Sequence, residues 1–195
     1  MSESSELQIR EMKSSDLPAI KNFTDRAIGV DYYSMSDLED IFRRSSALGA
    51  DKTDTMCSLV LADSQNQIFG VRITYPPGKW EKGKGKGLTP EKWPFPLNKT
   101  AYFQSLFIDP SIQSKGFGKK MSLQAISVLK KMGAKAIVCH SWKDSPNDSS
   151  GKYLRSLGFK VVATHPDYWK DVDYLCTRCG NPPCRCTAEE MLLEL

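Results

Sequence analysis

Apolar residues fall into two rhythms along the chain. Leu7-Gln-Ile-Arg-Glu-Met12 alternates apolar and polar positions and predicts a first strand. Ser14-Ser15-Asp16 then offers N-cap oxygens, Pro18 sits in a first helical turn, and Leu17, Ile20, Phe23, Ala27 and Ile28 recur at helical spacing. A second helix is predicted after Ser36, with Leu38, Ile41 and Phe42 as its buried stripe and Gly49 as its stop. Cys57–Ala62 and Ile68–Tyr75 are two strands joined by the turn residues Asp63–Gln67. Thr100–Ile108 is a central strand, followed by a long helix carrying Met121, Leu123, Ile126, Leu129 and Met132 and capped by Gly133. Lys135–His140 is the next strand and Ser141–Asp148 a polar loop. Ser149–Leu157 is a short helix ended by Gly158, and Phe159–Thr164 a further strand. The order βααββ–βαβαβ predicts an α/β protein with a mixed sheet flanked by helices.

Two stretches break these rhythms. Residues 76–99 carry Pro76, Pro77, Pro90, Pro94 and Pro96, with Lys79, Lys82, Lys84, Lys86 and Lys92 interleaved with Trp80, Trp93 and Phe95. The stretch reads as a solvated loop insertion, with a lid or docking surface as its functional alternative. Stacking on bases is a third possibility. The closing residues, Thr187 to Leu195, open with a Thr-x-x-Glu capping box and predict a C-terminal helix presenting Met191, Leu192 and Leu195.

Composition adds little beyond ordinary globularity. The chain has 195 residues, enough for one self-sufficient core, and its net charge of +4 suits a polyanionic ligand but is too small to argue for nucleic acid. Met1-Ser-Glu-Ser-Ser-Glu6 has no apolar core of a secretory signal, and no run approaches the ~18 apolar residues of a membrane span. A cytoplasmic protein that makes no membrane contact is therefore expected.

The most informative stretch is Ser105–Met121. Leu106-Phe107-Ile108 ends the central strand, Asp109-Pro110-Ser111 stops it, and Gln113, Gly116 and Gly118 lead straight into the long helix. A helix start presents unpaired N–H groups and the positive end of the macrodipole. Glycines there admit an anion closely, and Lys115, Lys119 and Lys120 add charge. A turn with permissive glycines and solvated lysines explains the same residues without a ligand. The pattern lacks the GK[ST] of a P-loop, and Met121 replaces the third glycine of a Rossmann fingerprint.

Gln-x-x-Gly-x-Gly at 113–118, after a Leu-Phe-Ile-Asp-Pro strand, resembles the acetyl-CoA loop of the GNAT acyltransferase superfamily. Asn147, Gly158 and Phe159 match its second segment, Asn-x-x-Ala-x-x-x-Tyr-x-x-x-Gly-Phe, so the resemblance spans roughly residues 7 to 165. It implies a mostly antiparallel central sheet splayed at the central strands. It further implies acetyl-CoA as co-substrate and transfer of an acetyl group to a primary amine by direct attack. Cofactor contacts would come from Leu106, Phe107 and Ile108, from Gln113, Ser114, Lys115, Gly116, Phe117, Gly118 and Lys119, and from Asn147. A backbone N–H near Phe107 or Ile108 would polarise the acetyl carbonyl. Leu154 stands where many relatives have an acid tyrosine, leaving Tyr153 beside it. Gln104 stands where some have a glutamate base, leaving His140 and Asp144 as proton carriers. The catalytic candidates are thus Tyr153 and His140. The alternative is a non-catalytic acyl-CoA-binding or interaction protein. The acceptor and the oligomeric state cannot be read from these residues.

Cys176, Cys179, Cys184 and Cys186 form C-x₂-C-x₄-C-x-C, a complete thiolate set for structural zinc with no open position. Reduced tail cysteines, two disulfides or an iron–sulfur cluster are the competing readings. The expected organisation is an acyltransferase domain over 1–170 and a zinc knuckle with its helix over 171–195. The knuckle would shape the acceptor site or bind a protein or nucleic-acid partner. Cys57 and Cys139 are expected as buried strand residues.

Overall fold

The computed structural model describes residues 6–48, 54–80, 87–172 and 175–195. In chain order the elements are β1 (Gln8–Glu11), α1 (Leu17–Ala27), α2 (Met35–Arg44), β2 (Ser46–Leu48), β3 (Asp54–Met56), β4 (Leu59–Ala62), β5 (Ile68–Tyr75) and β6 (Thr100–Ile108). They continue with α3 (Phe117–Lys131), β7 (Ala136–Trp142), α4 (Ser149–Ser156), β8 (Lys160–His165) and β9 (Ala188–Glu194). Seven strands form one sheet in the order β1-β4-β5-β6-β7-β9-β8, while β2 and β3 make a separate hairpin. Every pairing in the large sheet is antiparallel except β6 with β7.

The sheet is buried on both faces. On one face α1 and α2 lay Leu17, Ile20, Phe23, Leu38 and Ile41 against Val60, Val71, Ile73 and Val138. On the other, Met121, Ala125 and Leu129 of α3, spaced one turn apart, join Leu154 of α4 against Leu59, Leu61, Phe103, Ile137 and Met191. Ser14–Asp16, expected to cap α1, instead form a 3-10 turn of their own ahead of it, and α1 has no side-chain cap bond. Ser34 and Asp37 form a reciprocal capping box on α2, two residues earlier than the predicted start. The stop assigned to Gly49 lies outside the described residues.

Two expectations are corrected. Thr187–Leu195 is not a helix: Ala188–Glu194 is an interior strand between β7 and β8. Side chains alternate across it, with Met191 and Leu193 packed toward α4 and Leu192 toward the opposite core. A helix would bury one stripe, whereas a slot between two strands demands that both faces be buried. The strand's two interior carboxylates are matched by partners, Glu189 by Arg155 at 3.1 Å and Glu190 by His165 at 2.8 Å. The cysteine segment therefore lies inside the β8–β9 connection.

The other correction concerns 76–99. Trp80 and Trp93 are buried at 4% and 8% exposure, and Trp80 stacks on Tyr102 with ring centres 5.0 Å apart. Their indole N–H groups donate to the Thr100 carbonyl at 2.8 Å and to Glu190 at 2.6 Å. The described part of this stretch is a loop with Lys79, Glu91 and Lys92 exposed, but it is anchored by buried tryptophans, which are not available to stack on bases.

Candidate functional site

The central strands part. β6 pairs with β7 from Thr100↔Ala136 to Phe103↔Cys139, and there the ladder ends, although β6 continues along β5 to Ile108. A bulge sits at the parting point: Ser105 pairs with Ile73 and Phe103 with Thr74, so Gln104 has no partner on β5. The bulge resets the alternation of side chains. Phe103 faces α3 and α4, and Ser105 faces α1 and α2, where its hydroxyl lies 3.1 Å from that of Tyr33. Leu106 and Ile108 then return to the α3 side, while Phe107 packs on the opposite core. The opening is a cleft of ≈ 1970 Å³.

At one end of the cleft lies the start of α3. Asp109 caps the turn Pro110–Ile112 by accepting from the Ser111 N–H and hydroxyl, and Arg26 reaches the same carboxylate at 3.0 Å. The Ser111 bonds hold Asp109 below the usual carboxylate range, with Arg26 adding to the effect. Gln113 donates to the Ile108 carbonyl at 3.0 Å, which ties the loop to the strand end. Gly116 is left-handed (φ 82) and nothing would meet a Cβ there. At Gly118 a Cβ would come within 3.2 Å of Leu106. The first N–H groups of α3 thus open onto the cleft beside a surface without side chains.

The α3/α4 wall carries Tyr153. Its hydroxyl donates to the Gly118 carbonyl at 3.0 Å, so Ser122, 2.6 Å away, is the donor to it. Burial raises the Tyr153 pKa, and the charge of Arg72 works against that rise. The phenol is neutral and holds a proton beside the cleft.

A second polar group lies at the root of β7. His140 Nε2 is 2.7 Å from the Gly87 carbonyl, which can only accept, so this nitrogen carries the hydrogen. Nδ1 then accepts from the Tyr102 hydroxyl at 2.9 Å. Burial lowers the His140 pKa, His165 pushes the same way, and the Gly87 bond and Glu190 oppose it. Tyr168 stacks on the imidazole with ring centres 4.4 Å apart and shares a hydrogen bond with Tyr102. Tyr168, Tyr102 and His140 all line the cleft. Beneath them Glu190 is wholly buried and accepts from Thr89, Trp93 and His165. Burial pushes Glu190 up, and these bonds more than offset it.

The four clustered cysteines converge. All four sulfurs lie within 4.8 Å of one another. Cys176–Cys186, Cys179–Cys186 and Cys179–Cys184 are separated by 3.8, 3.6 and 4.0 Å. A tetrahedral zinc with Zn–S bonds of about 2.3 Å requires edges of about 3.8 Å. Backbone N–H groups of Cys179, Arg185 and Cys186 point at the sulfurs, and the Trp142 indole donates to Cys186. Trp142 and Trp169 pack on the cluster. Both also line the cleft, together with Val172, Leu175, Cys176 and Thr177.

Sequence and structural comparisons agree with this geometry. The sequence profile of the GNAT acetyltransferase family matches residues 26–159. The chain belongs to that family. No curated protein matches it in sequence. Its fold is similar to that of Ard1 from Thermoplasma volcanium, with a TM-score of 0.65, 14% identity and 97% of each chain covered. It is similar to the ribosomal-protein-S18-alanine N-acetyltransferase of Escherichia coli, with a TM-score of 0.66 and 17% identity over 97% of this chain and 94% of that one. It is also similar to yncA, a putative acetyltransferase from Salmonella typhimurium solved with acetyl-CoA, with a TM-score of 0.64 and 18% identity over 98% and 95% of the two chains.

Within this GNAT domain the predicted residues are distributed unevenly. Leu106, Phe107, Ile108, Gln113, Ser114, Gly116, Phe117, Gly118, Lys119, His140 and Tyr153 line one cleft. Lys115 and Asn147 are exposed outside it. Asn147 adopts a left-handed conformation (φ 55) in the turn before α4, and Ser145, Ser149 and Ser150 line the cleft in its place. Asp144 is engaged elsewhere, accepting from the Thr187 N–H at 2.7 Å and lying 3.5 Å from Arg178. Sequence reasoning missed Tyr102 and Tyr168, which carry no motif of their own. It also missed Arg72, which carries no local signal. No helix among the described residues is long and apolar enough to cross a membrane.

Proposed function

We propose that the protein transfers an acetyl group from acetyl-CoA to a primary amine by direct attack in the cleft between β6 and β7. The parting of these strands at Phe103/Cys139, with the open start of α3 at the end of the gap, is the observation that carries this reading. The N–H groups from Gln113 to Lys119 would receive the pyrophosphate, with Lys119 nearby. The free edge of Leu106–Ile108 would pair with the pantetheine amides, and an N–H of Phe107 or Ile108 would face the developing oxyanion.

The acceptor would enter from the side bounded by Tyr32, Tyr33, Tyr102, Tyr168 and Trp169. A polar aromatic lining positions an amine without an ion pair that would hold it as ammonium. His140, neutral and hydrogen-bonded through Tyr102 to Tyr168, is suited to take the amine proton along that chain. Tyr153 supplies a neutral phenol on the opposite wall. The base-stacking reading of residues 76–99 loses its support, because Trp80 and Trp93 are buried.

For the sulfur cluster we infer structural zinc held by Cys176, Cys179, Cys184 and Cys186. The spacing and the all-thiolate donor set fit it, and zinc there would be closed to chemistry. It would fix the β8–β9 connection, and with it Trp169, Val172 and Leu175, as the acceptor-side wall. The test is release of CoA thiol against a panel of small amines, lysine-containing peptides and peptide α-amines. Turnover with at least one amine that falls on Tyr102→Phe substitution supports the reading. A folded protein that binds acetyl-CoA but acetylates no member of the panel contradicts it.

A further inference from the structure

Arg72 is a buried cation, two of whose nitrogens have no hydrogen-bond partner among the described residues. It lies in β5 between Leu59 of β4 and Leu106 of β6, and its side chain emerges on the α3/α4 face at 3% exposure. Its guanidinium carbon stands 3.5 Å from the centre of the Phe103 ring. Its Nε and Nη2 are buried and have no hydrogen-bond partner, and it makes no ion pair among the described residues. Burial pulls its pKa down to about 10, which leaves it charged at neutral pH. Stacking on Phe103 offsets part of the desolvation but satisfies none of the N–H donors. Buried charges in native proteins are paired or serve a ligand.

Its position says which ligand atom. Phe103 and Cys139 are the last register pair before β6 and β7 part, and Arg72 lies over the first and within electrostatic reach of the second. Tyr153, which also feels its charge, closes the same corner. Arg72 lines the cleft at its apex, behind Leu106, whereas the exposed Lys119 and the open glycines lie at the mouth. A phosphate, bulky and strongly hydrated, has its donors at the mouth. Only the slender reactive end of the donor reaches a group this deep.

We propose that Arg72 is a catalytic residue that receives the sulfur of CoA as it leaves. This deepens, and rests on, the acetyl-transfer reading above. The amine adds to the thioester carbonyl carbon and loses a proton toward His140. The C–S bond then breaks with its electron pair on sulfur, and the thiolate forms its ion pair with the Arg72 guanidinium. CoA departs as thiolate while the proton taken by His140 is released to solvent, or it takes up one proton from solvent and leaves as the thiol. The net products are the amide and CoA thiolate plus one proton, or the amide and CoA thiol. The cation's missing partner is thus made during the reaction, a pairing stronger at the end of bond cleavage than before it.

The test needs binding as well as rate. For the wild-type protein, CoA titrated by calorimetry at increasing pH should tighten as its thiol ionises. At mildly alkaline pH, where Arg72 is still charged, it should exceed desulfo-CoA by several-fold, since an opposite charge nearby lowers an acid's pKa by at least about one unit. Arg72→Met should abolish that preference and lower kcat by about a hundredfold, the usual cost of one charge-stabilising donor. Its acetyl-CoA affinity should stay within a few-fold, and Arg72→Lys should restore part of the rate. The wild-type comparison of CoA with desulfo-CoA requires no variant to fold. Equal affinity for the two at every pH overturns the proposal, as does a folded Arg72→Met enzyme with unchanged kcat. Those results leave acetyl transfer standing. A wild-type protein that binds neither acetyl-CoA nor CoA overturns both.

Discussion

Replacing Glu190 by glutamine probes the polar layer beneath the cleft. The buried carboxylate accepts from the Thr89 N–H at 3.1 Å, the Thr89 hydroxyl at 3.0 Å, the Trp93 indole at 2.6 Å and His165 Nε2 at 2.8 Å. Glutamine keeps one acceptor oxygen and turns an NH₂ toward the remaining donors. About two hydrogen bonds to a charged group are lost, each worth about 1.5–3 kcal/mol, and relaxation of the loop recovers some of that. A net loss of about 3 kcal/mol corresponds to a Tm lower by about 6–12 °C for a domain of this size. The sign with pH is fixed. Glu190 titrates below its ordinary value of 4.5 in the folded protein, so its contribution is complete above that value and fades as pH falls through the folded pKa. Thermal unfolding followed by circular dichroism between pH 3.5 and pH 7 should therefore show a gap between wild type and variant that closes toward acid. Equal melting at pH 7, or a gap that widens toward acid, would refute the network's role.

Other outcomes follow from the same geometry. Stripping the sulfur cluster with a chelator should raise the acceptor KM by roughly tenfold or more by freeing Trp169 and Val172, because small misplacements cost heavily in oriented reactions. The acetyl-CoA Kd should hardly move, and an equal loss of both would contradict the assignment of this wall to the acceptor side. Tyr102→Phe should lower kcat by about a hundredfold with little change in acetyl-CoA affinity. Because burial depresses the His140 pKa, the imidazole stays neutral until below its ordinary 6.5. With kcat/KM referred to the concentration of unprotonated amine, the acid limb should fall below that value and disappear in His140→Gln, and a limb above pH 6.5 would remove His140 from the proton path.

What the sequence disclosed depended on how local the controlling physics was. The Gln113–Gly118 loop and α3 were legible, because glycines and a one-turn apolar repeat act within a few residues. The parting of β6 from β7 was expected only through the family resemblance, since it depends on which strand edges fail to meet. The bulge at Gln104 left no trace in composition. Ala188–Glu194 misled because a Thr-x-x-Glu start and three spaced apolar residues satisfy a helix, while its slot between β7 and β8 is a tertiary fact. Trp80 and Trp93 looked solvated among lysines and prolines. They are core because Thr100 and Glu190, distant in sequence, accept their indole hydrogens. Arg72 sits in an apolar strand run where a single cation suggests an exposed edge. Only the burial of its Nε and Nη2 without a hydrogen-bond partner among the described residues makes it informative.

The central claim is that acetyl-CoA occupies the gap between β6 and β7 with its pyrophosphate on the start of α3. Calorimetric titration of the zinc-replete protein with acetyl-CoA, beside the Gly116→Trp variant, tests it most directly. A Cβ introduced at 116 meets no protein atom within 4 Å, and the indole beyond it would stand where the phosphates rest, at the cost of some backbone strain at this left-handed position. Micromolar binding by the wild type that vanishes in a folded Gly116→Trp protein is the predicted result. Equal binding by the two proteins, or none by the folded wild type, would contradict it.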